Sequence, residues 1–209
     1  MVNAKKITSQ AESAILQSAR KEFERHGLAG ARMQRIADEA GINKALLHYY
    51  FRNKNQLFLR IFEEAISQTI PQLQKIIHNE GGFPEKIQSF VHLYISTLNQ
   101  HPYLPAFVLS ELRHQPVGFF KKNFPAHTLK AIQQMFVMLD KAASAGIIRK
   151  WDWEQLLISM ISLCVFPFAA TPIIQHLLSL KEQEMKKFME DRKVFVTQFL
   201  LAALKPDHL

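Results

Sequence analysis

The 209-residue chain has a single cysteine, Cys164. No internal disulfide can form, and cysteine usage gives no pointer to secretion. Glycine is scarce, with seven residues, and no extended period-two run of β-branched residues occurs. Both absences argue for an all-α fold. The nine histidines show no His-Glu-x-x-His or paired-ligand spacing, and no glycine-rich phosphate loop is present. Cys164 lies within Leu-Cys-Val-Phe, a setting for an inert buried thiol. An enzyme, a metal centre and a cofactor are therefore not expected. Met1 to Lys6 holds no apolar stretch of the signal-peptide kind, so a cytoplasmic protein is expected. Asp, Glu, Lys and Arg are all missing from Gln155 to Leu180. An apolar run of that length can span a bilayer. Pro167, Pro172, Thr171, His176 and three serines interrupt it, and it reads as a buried helix at a subunit interface. A membrane-anchored protein is the minor alternative.

What is present is apolar and basic. Nearly half the residues are hydrophobic, and the formal charge is +8. Residues 1–60 hold eleven Lys/Arg against five Asp/Glu, a net of +6, whereas the remainder holds fifteen against thirteen, a net of +2. A polyanion partner for the front of the chain fits this asymmetry, although a solvated basic surface explains charge alone equally well.

Periodicity divides the chain into about nine helices. Residues 1–7 are polar and basic, and frayed chain is expected there. A first helix starts near Ser9, whose spacing to Glu12 suits a capping box. It carries Ile15, Ala19 and Phe23 on one stripe, and Gly27 ends it. Short helices follow over about Met33–Ala40 and Lys44–Tyr50. Gly41 is placed to take φ > 0, and Asn43 is placed to cap the third helix. Two short helices about a tight glycine turn read as a helix-turn-helix, whose second helix lies in the DNA major groove. The expected core of these three helices is Ile15, Leu16, Ala19, Phe23, Met33, Ile36, Ala37, Ile42, Leu47, Tyr50 and Phe51. Asn53 caps a long fourth helix from Lys54, with Pro71 expected to kink it and Gly81-Gly82 to close it. Further breaks fall at His101-Pro102, Gln115–Gly118, Pro125 and Gly146. Asp152 opens the uncharged helix, and a last helix covers about Lys181–Leu204. The division is 8–54 for a DNA-binding domain and 55–209 for a helical ligand-binding and dimerisation domain.

On a wheel of 100° per residue, Leu47 points inward. Ala45, His48 and Tyr49 then face out, with Lys44 and Leu46 on the flanks. Lysine can donate to guanine or phosphate, tyrosine and histidine to phosphate, and alanine and leucine can touch a thymine methyl. Arg32 and Met33 at the start of the second helix, Asn43, Arg52 and Lys54 complete the candidate double-stranded DNA interface, with helix-start amides as phosphate donors. Each cation taken singly reads equally well as solvated, and His48 and Tyr49 could instead pack against the fourth helix.

The stretch from about Ala14 to Phe62 resembles the N-terminal domain of TetR-family transcriptional regulators. The resemblance rests on Ile15, Ala19, Phe23 and Gly27, on Ile36-Ala-Asp-Glu-Ala-Gly-Ile-Asn-Lys-Ala-Leu-Leu-His-Tyr-Tyr-Phe, and on Asn53-Lys54 and Leu57. Two positions depart from the family pattern: Arg32 stands where Thr or Ser is usual, and His48 where a phenol is usual. The resemblance implies a homodimer through the last two helices that binds a palindromic operator. It also implies repression, with a small effector in the rear domain moving the long fourth helix.

In the rear domain Phe62, Phe90, Tyr94, Tyr103, Phe107, Met135, Phe136, Met138, Cys164 and Phe168 are candidate cavity walls. His92, Asn99 and Gln133, with the two tyrosines, are possible polar groups. A pocket of this kind suits a small apolar or amphipathic effector, although such stripes are more often plain core. An alternative function is a helical sensor or carrier of apolar ligands that no longer reads DNA.

Overall fold

The computed structural model describes residues 2–114 and 126–206. The breaks expected at Gln115–Gly118 and Pro125 lie outside them. The described residues form ten α-helices and no strand: α1 Val2–Gly30, α2 Met33–Glu39, α3 Lys44–Tyr50, α4 Lys54–His78, α5 Phe83–Gln100, α6 Leu104–His114, α7 Ala126–Ser144, α8 Trp153–Ala169, α9 Thr171–Leu178 and α10 Glu182–Leu204.

Four local expectations are corrected. Helix α1 begins at Val2, so Ser9 lies inside it and not at its cap; no glycine or proline interrupts residues 2–8. Its right-handed path does break at Gly27, where φ is 60°. Pro71 lies within an unbroken α4. That helix ends at Asn79, and Gly82 instead stands as the N-cap of α5, with Pro84 in its first turn. The uncharged run is two helices bent by 76° about Ala170. Pro172 has no amide to continue the first and is well placed to open the second. Among the described residues no single helix is long and apolar enough to cross a membrane, although the bent pair together has the length and composition.

Burial separates two cores. The front one joins Ile15, Ala19 and Phe23 of α1, Ile36 and Ala37 of α2, Leu47 of α3 and Phe51 to the α4 face Leu57, Phe58, Ile61, Phe62 and Ala65. Met33, Ile42 and Tyr50 pack on it partly buried. Helix α6 adds Leu104 and Phe107. Phe58 is the hub, with ring centroids 4.9 Å from Phe23, 5.4 Å from Tyr103 and 3.9 Å from Phe107. The rear core is built from Val91 and Ile95 of α5, Leu139 of α7, Met160 and Cys164 of α8 and Val196 and Leu200 of α10.

Candidate nucleic-acid interface

The turn between α2 and α3 is set by its own backbone. Gly41, at φ 68°, lets its amide donate to the Asp38 carbonyl at 3.2 Å while the Ile42 amide reaches Ala37 at 3.0 Å. That closes α2 in a Schellman motif. Ile42 then packs on the front core. Asn43 Oδ1 accepts from the Leu46 amide at 2.7 Å and starts α3. Within α3 only Leu47 is fully buried. This one anchor fixes the rotation of the helix, and Lys44, Ala45, Leu46, His48 and Tyr49 all face solvent. Tyr49 is 81% exposed and meets Tyr50 edge-on at 5.6 Å. His48 Nδ1 lies 3.1 Å from the Arg52 carbonyl. A carbonyl only accepts, so Nδ1 carries the proton and Nε2 is the atom turned outward. Arg52 is itself exposed.

Arg32 is the N-cap of α2, with extended backbone and no side-chain cap bond, so its exposed guanidinium is not used in capping. Met33 is half-buried against the front core. Lys54 turns toward the chain: Nζ donates to the Ala29 carbonyl at 2.9 Å and approaches that of Ala31 at 3.4 Å. It thereby ties the α1–α2 connector to the start of α4.

One residue of this site escaped the sequence reading. Glu22 is 2% exposed and lies on the inward face of α1. Its Oε1 accepts from Arg35 Nη2 at 2.6 Å, Arg35 Nε at 2.8 Å and the Arg32 amide at 2.9 Å. Burial opposes ionisation. The hydrogen bonds from Arg35 and from the Arg32 amide, with the charges of Arg35 and His26, outweigh it and hold the carboxyl below its ordinary value. An acid four and seven residues along from Ser18 and Ile15, on their buried face, was the available signal. His101, at the end of α5, has Nδ1 3.3 Å from the Tyr103 hydroxyl. Burial, and then the charge of Arg20, hold its imidazole below its ordinary value.

Both groups bind fewer protons in the folded chain than in the unfolded one, so stability rises with pH through their ranges. The His101 contribution is complete above the ordinary imidazole value of 6.5 and is lost as pH falls toward the lowered folded value. The Glu22 contribution is complete above about 4.5 and is lost below it. Melting temperature should therefore fall in two steps on acidification, with His101→Asn removing the first and Glu22→Gln the second. A flat profile between pH 7 and 5.5 would contradict the assignment to His101.

The cavity-wall candidates do not come together. Phe62, Tyr103 and Phe107 belong to the front core, whereas Phe90, Tyr94, Met135, Phe136, Cys164 and Phe168 belong to the rear one. Phe90, Met135 and Met138 line one cavity, and it measures about 10 Å³. Burial pushes the Tyr94 phenol and the Cys164 thiol each up to about 12. Gln133 is exposed, and Asn99 donates to Glu190 Oε1 at 2.5 Å. His92 Nε2 is buried without a hydrogen-bond partner.

Residues 15–61 match the profile of bacterial regulatory proteins of the tetR family. Over 55 residues the chain is 47% identical to the HTH-type transcriptional repressor SCO4008 of Streptomyces coelicolor, covering 26% of this chain and 29% of that protein. It is 25% identical to the HTH-type transcriptional repressor NicS of Pseudomonas putida over 65% of this chain and 64% of that one. The chain thus spans less than two thirds of the length of either relative. In fold it is similar to the transcriptional regulator FadR of Bacillus subtilis in complex with stearoyl-CoA, with a TM-score of 0.65 at 17% identity over 92% of this chain and 98% of that one. The helix-turn-helix geometry and the match of residues 15–61 agree on the front of the chain: this segment is similar to the helix-turn-helix domain of bacterial regulatory proteins of the tetR family, and the whole chain shares its fold with solved regulators.

Proposed function

We propose that the protein is a DNA-binding transcriptional repressor. Residues 8–54 read a palindromic operator, and residues 55–209 form the dimerisation and effector-binding part. The observation that carries this is the outer face of α3, where Lys44, Ala45, Leu46, His48 and Tyr49 stand exposed around the single buried anchor Leu47. These types suit base edges and phosphates. Arg32 and Arg52 flank the face as phosphate-binding cations, and Met33 and Asn43 shape its edge. Lys54 acts through the Ala29–Ala31 connector it holds. Repression is favoured by the two similar regulators that are named repressors.

A homodimer through the α8–α9 pair, which carries the uncharged run, and α10 sets two such faces on one side, as a palindrome requires. The effector is small and largely apolar. The stearoyl-CoA complex of the similar FadR, an apolar acyl chain on a polar head, supports the amphipathic form of that chemistry, and the unpartnered His92 Nε2 offers one polar contact. Because the rear-core cavity beside Phe90 and Met135 measures about 10 Å³, binding there has to select an opened packing of α5, α7 and α8, a shift limited by the ligand's differential affinity.

Anisotropy titration against duplexes from the flanking promoter regions tests the reading. Affinity should fall steeply with salt, through counterion release. Lys44→Ala and Tyr49→Ala should each weaken specific binding about tenfold to a hundredfold, since each contact is lost in both half-sites. Unchanged binding by both variants would refute the choice of face. Absence of salt-sensitive binding to any duplex would refute the function.

A further inference from the structure

The outer face of α3 is rich in donors and poor in acceptors. No Asp or Glu occurs from Ala40 to Phe62. Lys44 only donates, and the Tyr49 hydroxyl, which can do both, has a proton to give. Asn43 Oδ1 is already occupied by the Leu46 amide. His48 differs from all of these. Its Nδ1 lies 3.1 Å from the Arg52 carbonyl, so the ring proton is held there and the neutral ring turns a lone pair outward at Nε2.

That orientation is set from both sides of Arg52. Phe51 is buried in the front core, and its amide donates to the Leu47 carbonyl at 2.8 Å. Asn53 is the N-cap of α4, with Oδ1 accepting from the Gln56 amide at 2.9 Å. The carbonyl between them is therefore a fixed acceptor, and it holds the imidazole in place before DNA arrives. His48 is exposed and lies one helical turn from Lys44 and Ala45, on their face. The small Ala45 side chain lets that face come close to a groove floor.

A lone pair narrows what Nε2 can meet. Phosphate oxygens are themselves acceptors and repel it. In the major groove guanine shows N7 and O6, and thymine shows O4, all acceptors. The donors there are the exocyclic amines, N6 of adenine and N4 of cytosine. We propose that His48 is a specificity-determining residue whose Nε2 accepts from the exocyclic amine of an adenine or cytosine in each half-site. The inference rests on the reading of α3 as the groove helix and assigns the chemistry it reads at one position.

Affinity selection from a randomised duplex library locates that position. The whole protein is used at about pH 8, where an ordinary imidazole is neutral. Compared with the parent, His48→Ala should lose its preference at one base pair of each half-site and keep the rest of the operator. Every base pair carries one amine, so atom replacement at that pair decides the role. Removing the amine, with purine for adenine or pyrimidin-2-one for cytosine, should weaken the parent about tenfold when both half-sites are changed. The same change should leave His48→Ala unmoved. Replacing N7 of the pair's purine by CH, which removes an acceptor, should leave the parent unchanged. Weakening by the N7 change and not by loss of the amine would mean that Nε2 donates, and it overturns the acceptor role while operator reading stands. A His48→Ala protein that selects the parent's operator at every position overturns it likewise. A parent that selects no duplex overturns both.

Discussion

Arg35→Met should cost the fold about 3–5 kcal/mol, the range for stranding a buried charge. Glu22 is 2% exposed, and its carboxylate has Arg35 as its principal cation. Without the guanidinium it keeps the Arg32 amide and the more distant His26, 3.8 Å away. The converse loss is cheaper. Arg35 is 40% exposed, so Glu22→Gln lets it hydrate, at about 1–2 kcal/mol. The combination Glu22→Leu with Arg35→Met should recover part of the loss, since two apolar groups replace an ion pair without leaving either charge behind. Urea unfolding of the three variants tests the order. An Arg35→Met protein within about 0.5 kcal/mol of the parent, the scale of a neutral surface substitution, would show that Glu22 is not held as a buried anion. Because the same carboxylate receives the Arg32 amide, the variant should also loosen the entry to α2 and weaken DNA binding.

Phe58→Ala should be comparably severe, at about 3–5 kcal/mol. The ring is fully buried and stands at the meeting point of α1, α4 and α6, touching Phe23, Tyr103 and Phe107. Those neighbours come from α1, from α6 and from the turn before it, so collapse onto the space would have to move whole elements. Phe195→Ala removes the same ring from a 58% exposed position, and in the dissociated chain it should stay within about 0.5 kcal/mol of the parent. Thermal and urea melts at low protein concentration separate the two. A small effect at Phe58 would mean that α6 does not hold the front core together.

The reading helix was legible because everything that sets it is local. Gly41, Ile42, Asn43 and Leu47 are within seven residues, and their cap bonds reach no further than five. The outward set around Leu47 followed from one period of 3.6 residues. What was hidden depends on distance along the chain. The Glu22 carboxylate meets partners ten and thirteen residues away, and Lys54 meets carbonyls 23 and 25 residues back. Phe62, Tyr103 and Phe107 carry the right periodicity for a rear pocket, yet their helices turn them onto the front core. Periodicity says which face of a helix is buried, not which core receives it. The split at Ala170 was foreshadowed by Pro167 and Pro172, but only Pro172 breaks the run. Pro167 stays inside α8, which ends two residues beyond it.

Leu104 and Phe107 reach the front core from a segment more than fifty residues beyond the reading helix, which ends at Tyr50. The reading head is therefore not a detachable module. A fragment cut at residue 54 would lack the whole α4 face that Ile15, Phe23 and Leu47 share, and one cut at residue 80 would still uncover Phe58 where Phe107 stacks. A chimaera that grafts this head onto a foreign sensor must bring the first turn of α6, or a replacement cut to the same shape.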